Sequence, residues 1–163
     1  MDQYSNSYHR HTISMENIRI KEASNNDIPV LLGLLYELGR PKPKRDSDMD
    51  DFRNIVKQYI KDQNKQILVA VYHDVEIIGM VSVMFLSRLN QLKYEMYIPE
   101  LVVLEKYQKQ GIGKNLINAC IEIAKDKKCH RIRLESGNRR KESHQFYKHL
   151  GFEQHALSFT KDL

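Results

Sequence analysis

Two hydrophobic periods, one near two residues and one near four, divide this chain into strands and helices. Ile18 and Ile20 alternate with charged neighbours, which predicts a short first strand. Asp27 and Pro29 then form a helix start. Val30, Leu31, Leu34, Leu35 and Leu38 lay down an apolar stripe that Gly39-Arg40-Pro41 stops. Gly33 lies inside that stripe and costs ~1 kcal/mol against alanine there. Residues 41–51 read as a charged, proline-containing loop. A second helix is expected over roughly 50–61, with Phe52, Ile55, Val56, Tyr59 and Ile60 at helical spacing. The apolar runs 67–72 and 77–86, joined across His73-Asp74, predict an antiparallel hairpin in which Gly79 marks a bulge or a close approach. Residues 87–96 read as a polar connection to a central strand, 98–104, which is broken by Pro99 and carries one carboxylate, Glu100.

The second half carries the firmest periodicity. Ile112, Leu116, Ile117, Cys120, Ile121, Ile123 and Ala124 fall within one half-circle of a helix, and Lys114, Asn115, Asn118, Glu122, Lys125 and Asp126 fall on the other. A strand follows at 131–135. Strand, helix and strand of this length imply a parallel, right-handed crossover. A last helix, about 141–150, ends at Gly151, and Phe152 is expected to lead into a final strand. The pattern is that of one mixed α/β domain.

Composition narrows the partners. A length of 163 residues suits one domain burying ~70% of its unfolded surface. Residues 1–16 are polar and are expected to be a flexible arm before a domain at 17–163. His9 and His11 lie in that arm without the further ligands a metal site needs, and Met15 offers an alternative start. The opening residues lack the apolar core of a signal peptide, and no run of ~18 apolar residues suggests a membrane span. The net charge of +5 is spread rather than gathered into a recognition pattern, which argues against nucleic acid and suits a small polyanion. Cys120 and Cys129 have no metal or redox spacing. A buried Cys120 and a reducing, cytoplasmic setting are expected.

The stretch from Tyr97 to Lys114, YIPELVVLEKYQKQGIGK, has the form strand, glycine-bearing turn, helix. The first N–H groups of a helix have no internal partner and sit at the positive end of its dipole, so such a turn can hold a phosphate. A Walker A loop is excluded by spacing, because Gly111 and Gly113 are one residue apart and Asn115 follows Lys114. The dinucleotide fingerprint is excluded by Leu116 where a third small residue belongs.

What remains is Gln108-x-x-Gly111-x-Gly113 after an ELVV strand, and it resembles the diphosphate motif of the GNAT superfamily of acetyl-CoA-dependent N-acetyltransferases. Downstream, Asn138 with Phe146-Tyr147-x-x-x-Gly151-Phe152 resembles the same superfamily. The longer string SGNRR, SHQFY and SFTKDL is similar to its aminoalkylphosphonate and aminoglycoside-type branch. The resemblance covers about 18–163. It implies a twisted, mostly antiparallel central sheet whose fourth and fifth strands are parallel and splay apart to admit acetyl-CoA. It implies that Leu101, Val102 and Val103 pair with the pantetheine arm, and that Gln108, Lys109, Gln110, Gly111, Ile112, Gly113 and Lys114 surround the diphosphate. Asn138 would bond a pantetheine amide. It further implies direct transfer in a ternary complex to a primary amine of a small polar molecule, and a homodimer. The alternatives are a protein or peptide N-acetyltransferase and a non-catalytic acyl-CoA-binding module.

The chemistry asks for two groups. A lysine-like amine of pKa ~10.4 is only ~0.1% free at neutral pH, a handicap of roughly 4 kcal/mol, so a base is wanted. Glu100 is the candidate, directly or through a water; it could instead bind the acceptor's cationic group, or simply be a carboxylate at a strand end. The departing thiolate benefits from a proton, and by resemblance Tyr147 supplies it; packing among Phe146 and Phe152 is its other reading. His144, on the same helix face, is open to that chemistry or to a structural hydrogen bond. Tyr36 and the acidic run Asp46, Asp48, Asp50, Asp51 are placed to meet a cationic substrate or to lie in solvent.

Overall fold

The computed structural model describes residues 12–163. Six strands form one sheet: β1 Ile18–Glu22, β2 Lys65–Tyr72, β3 Glu76–Arg88, β4 Gln91–Ile98, β5 Leu101–Val103 and β6 Arg131–Leu134. The order is β1-β2-β3-β4-β6, with β5 pairing only with β3. All pairings are antiparallel except β4 with β6, which is parallel, as a crossover through a helix requires.

Helices α1 Ile28–Glu37 and α2 Asp46–Lys61 cover one face; α3 Ile112–Asp126 covers the other, with α4 Lys141–His149 beside it. Strand alternation sorts the core accordingly. Val69, Val71, Met80 and Val102 pack with Leu31, Leu34 and Val56, whereas Val83, Phe85, Met96 and Ile98 pack with Ile112, Leu116, Ile117 and Cys120. Glu95 and Tyr97 alternate with Met96 and Ile98 and so share the α1/α2 face.

Four expectations need correction. Residues 91–96 belong to β4 and are not a connection: Met96 and Glu95 are buried against β3 and β6. The expected strand 98–104 is split at Pro99 and Glu100, because proline has no N–H for a ladder. The helix expected near Asp50 starts at Asp46, where Asp48 accepts the Lys44 and Arg45 amides at 3.2 and 3.1 Å. The acidic run is thus the first two turns of a helix, where negative charge suits the dipole. Finally, residues 152–163 form no strand, and Leu157 and Phe159 are exposed.

Residues 1–11, with His9 and His11, lie outside the described residues. The described part of the expected arm packs down: Ile13 is buried in the α3-side core, and its N–H donates to Gln110 Oε1 at 3.0 Å. No helix of the described residues is long and apolar enough to cross a membrane.

Candidate functional site

The split between β4 and β5 opens the site. Up to Ile98, β4 stays with β6; the chain then steps at Pro99 and Glu100 onto β3 alone. Ser82 N–H donates to Glu100 O and Leu104 N–H to Ile78 O, each at 2.9 Å, with Met80 opposite Val102. Antiparallel alternation therefore turns the peptide groups of residues 100, 102 and 104 toward β3, and those of Leu101 and Val103 toward the open edge. Val102 gives that edge nothing: its backbone faces β3 and its side chain is in the core.

A turn of 3-10 helix, Glu105–Tyr107, leads to the glycine turn. Lys109 and Gly111 both have left-handed φ, +61° and +90°. Gly111 caps α3, whose first intrahelical bond runs from Asn115 N–H to Gly111 O at 3.0 Å. Among the described residues, the amides from Lys109 to Lys114 donate to no protein acceptor. A run of bare N–H groups at a helix N-terminus is an anion site in waiting. Gly113 has a separate task. A Cβ there would lie 3.3 Å from Phe146 Cζ, so its absence lets α4 seat against the start of α3.

Side chains around the turn mostly brace it. Gln108 Nε2 donates to Val103 O at 2.9 Å, Gln110 is held by Ile13, and Lys109 Nζ pairs with Glu142 at 3.3 Å. Lys114 is exposed. Asn138 is exposed in the loop between β6 and α4; across that loop, His144 Nε2 donates to Gly137 O at 2.9 Å. His144 therefore takes the structural role.

Glu100 stands at the step between β4 and β5, and Tyr147 on α4. Glu100 Oε2 accepts from Ser82 Oγ, and Oε1 accepts from Arg40 Nη2 at 2.8 Å. Arg40, just past α1, also donates to Pro99 O at 3.3 Å. The phenol of Tyr59, on α2, donates to Val83 O at 3.0 Å; burial pushes its pKa well up, the nearby Ser82 hydroxyl opposing and the Glu100 charge adding to the rise. Tyr147, half-buried, packs edge-on to Phe146 and Phe152 at 5.1 and 5.8 Å. Burial raises its phenol pKa, with Arg140 opposing, so it stays protonated at neutral pH. Its hydroxyl makes no hydrogen bond among the described residues. Cys120 is fully buried and its thiol is pushed up to about 12, which removes it as a nucleophile.

Arg40, Ser82 and Tyr59 escaped the sequence reading. Ser82 had a signal, a lone hydroxyl in the apolar run IIGMVSVMF. Arg40 had none, since its partner is sixty residues away.

A family model described as the Acetyltransferase (GNAT) family matches residues 32–152. The chain is 28% identical over 144 residues to an aminoalkylphosphonate N-acetyltransferase of Salmonella typhimurium, spanning 88% of this chain and 90% of that protein. Among solved structures, a transcriptional regulator from Bacillus halodurans C-125 superposes with a TM-score of 0.81 at 27% identity, over 90% of this chain and 99% of its own. An AAC(6')-Iy structure in complex with the bisubstrate analogue CoA-S-monomethyl-acetylneamine gives 0.76 at 17% identity, over 90% of this chain and 98% of its own, and so shares the fold.

Proposed function

The chain belongs to the GNAT acetyltransferase family, and we propose that it moves an acetyl group from acetyl-CoA directly to a primary amine of a small polar acceptor. The observation that carries this is the run of unpaired amides at Lys109 to Lys114 beside the open peptide edge of Leu101 and Val103. The first suits a diphosphate and the second an amide-bearing arm, which together describe coenzyme A. Asn138, exposed in the loop between β6 and α4, is read as a further donor to the arm. Acetyl-CoA, when bound, supplies the acetyl thioester.

Glu100 is the base or the anchor of the acceptor's nitrogen. A carboxylate has about four acceptor positions, and Ser82 and Arg40 take one each, which leaves room for the amine or a water. The nitrogen–carbon bond forms as the carbon–sulfur bond breaks; the amine proton passes to Glu100, and the Tyr147 phenol gives its proton to the leaving thiolate. The inert Cys120 supports transfer without an acyl-enzyme. The two free cysteines support a reducing, cytoplasmic setting.

The test measures acetyl-CoA uptake by calorimetry and release of CoA thiol with a panel of amines. Tyr147→Phe and Glu100→Gln are each expected to lower kcat by ~10²-fold or more while leaving acetyl-CoA affinity in place. Uptake without thiol release from any amine would identify a non-catalytic module instead. No uptake at millimolar acetyl-CoA would overturn the reading altogether.

A further inference from the structure

Beyond Tyr97, on the α1/α2 face, the sheet carries a charge cluster that acyl transfer itself does not require. Glu95 has no exposed surface, yet it is ionic. Arg88 Nη2 donates to its Oε1 at 3.1 Å and Arg133 Nε to the same oxygen at 3.0 Å, while Arg131 Nε donates to Oε2. Arg133 Nη1 also reaches Glu135 at 3.1 Å, and its guanidinium lies 4.5 Å over the Tyr97 ring. The register explains the grouping: Glu95 pairs with Arg131 and Tyr97 with Arg133 across the parallel β4–β6 ladder, so all four side chains stand on one face.

Neutralising one buried carboxylate takes one guanidinium, and three are present. The side chains of Arg88, Arg131 and Arg133 remain 49%, 54% and 34% exposed. Three guanidiniums carry about fifteen N–H donors, and only a few of these are spent on Glu95 and Glu135. Glu95 acts as a buried peg that holds the forks in place from below, so less side-chain entropy is lost when an anion lands on them. The cluster adjoins the chemistry. Arg133 stacks on Tyr97, which stands three residues before Glu100 at the end of β4.

We infer that Arg88, Arg131 and Arg133, pegged by Glu95, form an anion subsite of the acceptor pocket, and that the acceptor is a short-chain amine carrying a phosphonate, phosphate or carboxylate. This rests on the acetyltransferase reading above and selects, within it, an anionic acceptor over a polycationic one. The amine is held at Glu100 and the anion on the arginine forks. The name of the Salmonella relative points to the same acceptor chemistry.

The experiment compares kcat/KM for 2-aminoethylphosphonate, β-alanine, ethanolamine, spermidine and neamine in wild type, Arg88→Gln and Arg133→Gln. The expected result is a preference for the phosphonate over ethanolamine of about tenfold or more, falling about tenfold in each variant. Methylphosphonate should inhibit competitively against the amine and not against acetyl-CoA, and should lose potency in both variants. Better turnover of spermidine, neamine or ethanolamine, with acetyl-CoA uptake normal, overturns this inference and leaves the acetyltransferase reading standing. So does an unchanged preference ratio in variants whose only defect is a lower melting temperature. Failure to bind acetyl-CoA removes both readings together.

Discussion

Glu95 shows at the scale of one residue how a strand position acquires its protonation state. Burial alone would raise its carboxyl pKa, but hydrogen bonds from Arg133, Arg131 and Arg88 outweigh burial and hold it down to about 2, against an ordinary 4.5. A carboxyl depressed on folding stabilises the fold above its unfolded pKa, and that contribution fades as pH falls through the folded value. The window is therefore pH 4.5 down to about 2. Its size is on the order of 3 kcal/mol. Urea unfolding from pH 6 to pH 3 should show stability falling, and Glu95→Gln should flatten that fall; an equal slope in the variant would show that other carboxylates carry it. Glu100 differs because Arg40 and Ser82 hold it at a rim rather than under a lid. Its role depends on neighbours from the loop after α1 and from β3 that are distant in sequence.

At the scale of elements, two glycines do different work and should fail differently. Gly79 faces β5 closely: a Cβ there would lie 3.0 Å from the Val102 carbonyl oxygen, which is backbone and cannot swing away. Gly79→Ala should push β5 from β3 and cost ~1–3 kcal/mol in chemical unfolding. Gly111 has room for a Cβ, 3.7 Å from Met15 Sδ, but its φ of +90° is one that L residues avoid. Gly111→Ala should cost ~1–2 kcal/mol and shift the amide run, seen as a raised KM for acetyl-CoA with the acceptor KM little changed. An unchanged acetyl-CoA KM would mean that this turn does not grip the cosubstrate. The sequence marked both glycines, since each interrupts a clear pattern. It could not say which was steric and which conformational, because that depends on what lies opposite.

Across the whole molecule, the site is a meeting of segments from both ends of the chain. Ile13 binds the glycine turn through Gln110, Arg40 closes on Glu100, and Arg140 Nη2 donates to Leu38 O at 3.4 Å. Gln110→Ala, which removes the acceptor of the Ile13 N–H, should loosen the turn from behind, raising the acetyl-CoA KM severalfold with kcat nearly unchanged; an equal fall in kcat would place its effect on the chemistry instead. The fold class, the crossover through α3 and the glycine turn at the start of α3 were legible from the chain alone. They rest on local matters: periodicity, the φ freedom of glycine and the orphan amides every helix start must have. The Glu100–Arg40 and Glu95–arginine groupings were not legible, although the alternating arginines of RIRL hinted at the second. Ionic partners carry no periodic mark, and which guanidinium meets which carboxylate is decided only when strand register and helix packing bring them within 3 Å. The end of the chain makes the same point from the other side. Residues 152–163 have the apolar content of a strand, but a strand exists only when another accepts its hydrogen bonds, and packing alone decides that.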